Sequence, residues 1–340
     1  MQTEVFMTSK EIIKRVIKRD APPRIGFNFM GDNPNDIHWD RIYKLVHPER
    51  DKYENWGFYP EITKQVPHFH GEVRVTPMGY IYGRLDQKTS GECIKGALQD
   101  GWHLLETYEF PQVTDAGAPD YTGSDKYILG SLTCAVFSVL RDIRLMDNAL
   151  MDTVLEPEYV KAFLERVFKF QMEGLEIVAK KGVNGIIIHD DLGMQHASFF
   201  SPEVFRNVFK PFYKKIADEL HSRGMDFFVH SCGNVTQFIN DFIEAGVDVF
   251  QFDQPELHGS ERLAREFGHK ATFYSPVDIQ KIMATGNKEL IVNAAKNMTD
   301  HFKKSGGGLI AMDYGSWHDL NVLPEWQQWA RDAFIEHGSM

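Results

Sequence analysis

The second half of the chain alternates short apolar runs with longer amphipathic segments. Unbroken runs rich in β-branched and aromatic residues, each ending on polar residues, predict buried strands at 185–189, 225–229, 247–251, 271–274 and 308–312. Helical spacing predicts helices at 159–181, 201–222, 235–245, from about 278, and at 324–336. Ser201 followed by Pro202 is typical of a helix start. Repeated strand–helix units with short connections predict a parallel sheet.

The first half has a weaker pattern. Apolar residues at Ile12, Ile13, Val16 and Ile17 recur at helical spacing and predict a helix that precedes the first strand. Short strands are predicted at 25–29 and 80–82. The segment 60–96 is rich in glycine, threonine and strand-forming residues, which favours a hairpin lying over one rim of the sheet.

Polar residues at the strand ends decide between two parallel-sheet architectures. A doubly wound sheet and a barrel both fit the alternation, but no Gly-x-Gly-x-x-Gly turn joins a predicted strand to a helix. Several predicted strands end on clusters of polar residues, which in a barrel converge on one catalytic mouth: 189–191, 230–232, Asp253 and Asp313. We therefore predict an α/β fold, a (β/α)8 TIM barrel, as a single domain over 1–340 with an N-terminal helical extension.

Composition narrows the class of protein. The formal net charge of −11 repels phosphate backbones, which argues against nucleic-acid binding. No apolar run approaches the ~18 residues that a membrane-spanning helix needs, so no membrane association is expected. Three irregularly spaced cysteines do not form a disulfide framework. The first twenty residues lack the apolar stretch of a signal peptide, and we expect a cytoplasmic protein.

The segment His230-Ser231-Cys232-Gly233-Asn234 carries the clearest chemical signal. An imidazole and a thiol two residues apart at a strand end can both face a barrel mouth, and together they are a zinc-binding pair. A core histidine beside a buried cysteine would give the same pattern. Zinc catalysis needs a third protein ligand, for which Asp313 and His318 are the main candidates and His189 and Asp253 the weaker ones.

A second cluster follows the strand at 185–189. Adjacent carboxylates can raise one another's pKa, so Asp190 is a candidate for substrate positioning or proton handling and Asp191 for substrate binding. Gln195 supplies an amide that could orient a substrate oxygen. The same residues could instead hold a helix N-terminus or a backbone turn.

Two further loops complete the predicted mouth. Tyr314 and His318 follow the last strand, Tyr314 as a substrate-binding candidate and His318 as a metal ligand or an acid. Asn28 ends the first strand and could line the opposite wall of the substrate site. An ordinary loop and a turn rich in asparagine and aspartate explain these two segments equally well.

The order of these motifs resembles the uroporphyrinogen decarboxylase superfamily, most closely its corrinoid-linked methyltransferase branch. The likeness runs from about 140 to 325 and rests on the segments 190–195, 201–203, 210–213, 230–235, 243–248, 275–280 and 306–310. No single segment is specific, whereas their order and spacing together are. The resemblance implies a TIM barrel.

The methyltransferase branch implies a zinc site. Its members bind Zn2+ through a His-x-Cys pair, matched here by His230 and Cys232, and through a cysteine after the last strand. This chain has no such cysteine, and Asp313 stands near its place as the expected third ligand. The change of this third ligand favours a likeness to those members of the branch that transfer a methyl group from a methylated substrate onto the corrinoid of a partner protein. The arginine-rich segment of the decarboxylases is also missing from 22–30.

The expected activity is therefore zinc-assisted demethylation. A methyl group would pass from an O-methyl substrate, plausibly a methoxylated aromatic compound, to the cobalt of a corrinoid (as in methylcobalamin) carried by a partner protein. A homodimer is one assembly compatible with such a barrel. Two other functions stay open: a decarboxylase or other lyase of the same family acting on a smaller substrate, and a binding protein with a degenerate site.

Overall fold

The computed structural model describes residues 7–315 and 320–340, and its centre is a parallel sheet curved into a barrel. The strands in this part of the chain are β1 (Gly26–Asn28), β2 (Ile37–Trp39), β3 (Tyr43–Val46), β4 (Glu72–Val75), β5 (Ile81–Arg84), β6 (Glu92–Lys95), β7 (Gln112–Asp115), β8 (Tyr127–Ser131), β9 (Gly185–His189), β10 (Asp226–His230), β11 (Val249–Gln251), β12 (Thr272–Ser275) and β13 (Leu309–Met312). Eight of them pair side by side in the order β1-β13-β12-β11-β10-β9-β8-β2. All seven pairings are parallel, and the sheet forms a nearly closed barrel. The predicted TIM-barrel fold is confirmed.

Most of the helices in the described residues surround the barrel on its outer face, whereas α1 closes one end of the barrel and α2 packs against β4 and β5. They are α1 (Ser9–Lys18), α2 (Pro60–Thr63), α3 (Phe137–Arg144), α4 (Met146–Leu155), α5 (Pro157–Ala179), α6 (Pro202–Val204), α7 (Lys210–Ser222), α8 (Ile239–Ala245), α9 (Ser260–Phe267), α10 (Lys288–Lys304) and α11 (Pro324–His337). Within the described residues, no helix combines the length and the apolar character needed to span a lipid bilayer.

One helix begins ten residues later in the structure than the sequence pattern predicts. The predicted start is about Asp278, but the carboxylate of Asp278 accepts backbone N–H groups from Glu256, Gln280 and Lys281 and so fixes a loop. The helix α10 starts at Lys288, after the side chain of Asn287 caps it by accepting the N–H of Leu290. The local hydrogen bonds of one aspartate thus outweigh the helical spacing.

The predicted helix at 201–222 contains a π-helical turn. Ser201 caps its start as expected, and the N–H of Val204 donates to its hydroxyl. Residues 205–209 then form a wider turn, in which the N–H of Lys210 reaches back to the carbonyl of Phe205. Pro211 follows directly and has no N–H to continue the regular α-helical ladder, which accounts for the change in register.

The helix α1 closes the N-terminal end of the barrel, as expected of the helical extension. Its four apolar residues are buried in one cluster with barrel-interior side chains that include Tyr127, Phe228 and Ile310. Lys14 adds an ion pair to Asp226 at the start of β10, with 2.7 Å between Nζ and Oδ2. This end of the barrel is therefore sealed, and a ligand must enter from the end where the parallel strands finish.

The region predicted to lie over the rim is larger than one hairpin. The strands β4, β5 and β6 form a three-stranded antiparallel sheet, and β3 pairs with β7 in a second, two-stranded sheet. The three-stranded sheet, here called the rim sheet, shares a cavity with residues that follow β9. It therefore contributes side chains to the mouth of the barrel.

Candidate functional site

Side-chain alternation along the barrel strands brings His230 into the interior at the mouth. On β10, Phe228 lies in the interior cluster with Ile187 of β9, so His230, two residues on, points the same way. Gln251 ends the neighbouring β11, directly beside His230. Its side-chain oxygen forms a hydrogen bond with Nδ1 of His230, and its Nε2 donates to Asp253 Oδ1 at 2.8 Å. Because an amide oxygen only accepts, Nδ1 donates a proton to Gln251, and Nε2 is the ring nitrogen that faces Asp191 and Cys232.

Asp191, His230 and Cys232 form a compact group of three potential metal ligands. The nitrogen Nε2 of His230 lies 3.4 Å from Asp191 Oδ1 and 3.5 Å from Cys232 Sγ. All three ligand atoms lie within 4.8 Å of one another. Ligands bound tetrahedrally to zinc at about 2.0–2.3 Å are roughly 3.3–3.7 Å apart, so the nitrogen, sulfur and oxygen atoms present fit this ion.

Close packing of two glycines explains why the two ligand-bearing loops meet. A Cβ atom on Gly233 would lie 2.1 Å from the carbonyl oxygen of Gly193, and Gly233 has a φ of 77°. The N–H of Asn234 donates to the carbonyl of Met194 at 2.7 Å, and the N–H of Cys232 donates to Asp191 at 2.8 Å. A side chain at either glycine would push the loops apart and separate Asp191 from the His-x-Cys pair.

The electrostatics of this group favour a bound cation. Burial by itself lowers the pKa of His230, but Asp191 and Cys232 facing its Nε2 raise the pKa well above its ordinary value. Burial raises the pKa of Asp191, yet the contacts with His230 and the N–H of Cys232 bring the pKa below its usual range. A position that holds a proton this firmly also attracts a metal ion, which would replace that proton.

A cavity of about 750 Å³ adjoins the group at Asp191 and His189. Burial and the nearby His230 ring lower the pKa of His189 to about 4, so this ring is neutral at pH 7. The rest of the wall comes largely from the rim sheet, from β3 and from the segment that follows β8. The lining includes three tyrosines and four cations: Tyr43, Tyr80, Tyr82, Arg41, Lys44, Arg74 and Arg141.

The cations give the mouth a mixed charge. The strand-end carboxylates alone would make it acidic. Four basic side chains line the cavity, three from the segment 41–74 and one from α3. Three acidic side chains also line it: Glu54, Asp142 and Asp191. The first half of the sequence had too weak a pattern to place these basic residues at the mouth.

Asp190 occupies a different place from the predicted one. Alternation turns its side chain away from the mouth, and it is fully buried. Its carboxylate accepts the N–H groups of Val136, Phe137 and Ser138 at 2.6–3.0 Å, and the hydroxyl of Tyr213 donates to it as well. Asp190 therefore fixes the start of α3, and Asp191, not Asp190, faces the large cavity.

Asp313 likewise does not join the metal group. Both of its carboxylate oxygens are contacted by Nε of Arg331, at 2.9 and 3.0 Å, and one also accepts the N–H of Met30 at 2.7 Å. The strand β13 lies three positions from β10 in the sheet order, on another side of the barrel. The carboxylate that lies beside His230 and Cys232 is thus that of Asp191, for which we predicted substrate binding.

The other predicted site residues are spread around the mouth. The side chain of Asn28 donates from Nδ2 to the hydroxyl of Tyr274. Gln195 is exposed and donates to Gln280 at 3.1 Å. The backbone of Tyr314 is held by the side chain of Gln327. His318 lies outside the described residues. Roles for Asn28, Gln195, Tyr314 and His318 stay predictions.

Gln251 was missed by sequence reasoning, although a signal for it exists. It ends the predicted strand 247–251, and the preceding predicted strand leads into His230. Residues at the ends of adjacent parallel strands are neighbours, so the rule used for the charged clusters also applies to this neutral amide.

Comparisons with known proteins agree with the barrel and identify a family. Residues 125–312, more than half of the chain, match the uroporphyrinogen decarboxylase (URO-D) family. A solved methyltransferase from Methanosarcina mazei superposes with a TM-score of 0.57 at 14% sequence identity, covering 97% of this chain and 100% of that one. A D-psicose 3-epimerase solved with D-fructose gives a TM-score of 0.34 at 14% identity, over 62% of this chain and 78% of the other. No curated protein matches the sequence.

Proposed function

The chain belongs to the uroporphyrinogen decarboxylase family, and from this premise we propose that it is a methyltransferase whose methyl donor is an O-methyl compound and whose acceptor is the cobalt of a corrinoid on a partner protein. The observation that carries the proposal is the group of Asp191, His230 and Cys232 next to the large cavity. The M. mazei methyltransferase, which shares the fold over its full length, gives general support.

Asp191, His230 and Cys232 would hold Zn2+. What zinc supplies when bound is Lewis acidity toward the ether oxygen, which is otherwise a poor leaving group. A carboxylate is a harder ligand than a thiolate, so a site with one cysteine leaves more positive charge for a hard oxygen ligand than a site with two. This ligand set favours an O-methyl donor over a thiol substrate.

The protein side chains position the reactants and balance the charge. The C–O bond of the donor breaks, a carbon–cobalt bond forms with the electron pair of Co(I), and the leaving oxygen gains one proton. The aromatic walls of the cavity would orient the donor beside Asp191, and neutral His189 adds no positive charge there. His318, which lies outside the described residues, is our proposed proton donor.

The test is a methyl-transfer assay with the purified protein. Mixed with a Co(I) corrinoid protein and aromatic methyl ethers, it should give the absorbance of the methylated corrinoid and an equal amount of phenol. No methylated corrinoid with any methyl ether, methylamine or methyl thiol would refute the transferase proposal. Release of CO2 from a carboxylate substrate without any corrinoid would indicate the decarboxylase alternative.

Replacing Gln251 should weaken metal binding without removing a ligand. In Gln251→Leu the Nδ1 of His230 loses its acceptor, so its tautomer and ring orientation are no longer fixed, and zinc affinity should fall about 10–100-fold. Competition with a chelator measures this affinity. Gln171→Leu is the matched control, because Gln171 is equally buried but bonds the carbonyl of Cys134. Unchanged zinc affinity in Gln251→Leu would mean that Gln251 does not support the metal site.

The corrinoid protein must approach the mouth, where Met194 is 53% exposed on the loop that follows β9. Met194→Glu should raise the KM for the corrinoid protein about ten-fold and leave kcat nearly unchanged, because a charge would be desolvated in the contact. Met151→Glu is the control, since Met151 is 51% exposed but lies on α4 in the helical layer. Equal KM values for the two variants would place the docking surface elsewhere.

A further inference from the structure

The cavity carries positive charge that the protein does not neutralise. Of its three acidic lining residues, Asp142 pairs with Arg141 at 2.9 Å, Asp191 faces His230 at 3.4 Å, and Glu54 is exposed to solvent. Arg41, Lys44 and Arg74 also line the cavity, and none of them has a carboxylate partner within the described residues. Arg41 and Lys44 are exposed to solvent, whereas Arg74 is half-buried. A half-buried cation without a partner is unfavourable unless a ligand supplies the opposite charge.

Arg74 is the best positioned of these cations. It lies on β4 directly opposite Tyr82 of β5, and its guanidinium carbon is 5.0 Å from the Tyr82 ring centroid and 5.1 Å from that of Trp56. Two aromatic faces thus hold the group in a fixed plane. Its Nε is buried and has no hydrogen-bond acceptor among the residues that the structure describes. An acceptor in the cavity would satisfy this donor.

Arg84, a neighbouring arginine of the rim sheet, provides a comparison because it has a carboxylate partner. Arg84 also stacks on Trp56, with 4.5 Å between its guanidinium carbon and the ring centroid. It is neutralised by Glu72 at 2.8 Å and donates to the carbonyl of Gln87. It does not line the large cavity. Both arginines lie on one face of the rim sheet, but only Arg74, which lines the large cavity, is left without a carboxylate partner among the described residues.

We propose that Arg74, assisted by Arg41 and Lys44, binds a carboxylate of the methyl donor, so that the donor is a methoxylated aromatic acid and not a neutral ether. This rests on the proposed function. A planar guanidinium matches a carboxylate through two parallel hydrogen bonds, and the tyrosines of the cavity suit an aromatic ring. The cluster at Asp191 and the subsite at Arg74 would then hold opposite ends of one donor.

Binding measurements test the subsite without any methyl transfer. Titration calorimetry of the purified protein should show 4-methoxybenzoate binding at least about ten-fold more tightly than the neutral 4-methoxybenzyl alcohol, as expected for hydrogen bonds to a charged group. Arg74→Gln should remove this preference, and Arg74→Lys should keep part of it. Arg84→Gln should retain it, which controls for disturbance of the Trp56 stack.

Two results would overturn the proposal. One is equal binding of the acid and the alcohol by the wild-type protein, or an acid preference that survives in Arg74→Gln. The other is unchanged donor binding in Arg74→Gln together with weaker binding of the corrinoid protein, which would assign the cation to the phosphodiester of the corrinoid. Failure of methyl transfer with every donor would instead refute the proposed function and leave the measured acid preference standing.

Discussion

Cys232→Ala is expected to lose bound zinc and methyl transfer together. The variant keeps only an imidazole and a carboxylate, fewer than the three protein ligands of a catalytic zinc site. Zinc affinity should therefore fall by more than the roughly 100-fold that loss of an outer hydrogen-bond partner costs. Elemental analysis of the purified variant gives the zinc content, and the rate of corrinoid methylation gives the activity.

A second cysteine provides the control for this experiment. Cys93 is half-buried on β6, and its thiol contacts the carbonyl of Asp142 at 3.3 Å, outside the metal group. Cys93→Ala should keep stoichiometric zinc and its rate. Full zinc content and full activity in Cys232→Ala would contradict the metal role and return this thiol to the alternative of a buried core cysteine.

Asp190→Asn is expected to destabilise the protein strongly and to change the zinc content little. The carboxylate accepts four hydrogen bonds in a site with no solvent exposure. An amide nitrogen in its place would face N–H donors, and the free energy of unfolding should fall by at least about 3 kcal/mol. Urea denaturation followed by circular dichroism measures this loss.

The adjacent residue separates structural from chemical effects. Asp191→Asn has the same change in charge and shape, but it should lose zinc and turnover while its free energy of unfolding stays within about 1 kcal/mol of the wild type, because its side chain is partly exposed. If Asp190→Asn instead folded normally and lost turnover, the catalytic role first predicted for Asp190 would be restored.

The contrast between Asp190 and Asp191 shows how much of the candidate site could be predicted from the sequence. The strand 185–189 was predicted correctly from its β-branched run, and His189 lies opposite His230 in the register between β9 and β10. Counting two residues onward on both strands places Asp191 beside Cys232, and alternation turns Asp190 outward. The third ligand could thus have been found once the two strands were treated as neighbours.

The substrate cavity could not be predicted in the same way. Its walls come from short antiparallel strands such as β4 and β5, whose few residues give little periodicity, and from long-range packing of the rim sheet on the mouth. The unpaired state of Arg74 depends on where Glu72 points, which pairs with Arg84 instead. Tertiary contacts decide which of the two arginines is paired, and the local spacing of residues along the chain does not reveal it.

X-ray absorption at the zinc edge of the wild-type protein tests the central claim most directly. The account predicts one equivalent of zinc with a single sulfur ligand from Cys232 and otherwise nitrogen and oxygen ligands. Asp191→Asn should change the nitrogen and oxygen shell and leave the sulfur contribution in whatever zinc it retains. Protein without stoichiometric zinc, or zinc with no sulfur ligand, would contradict a metal centre formed by Asp191, His230 and Cys232.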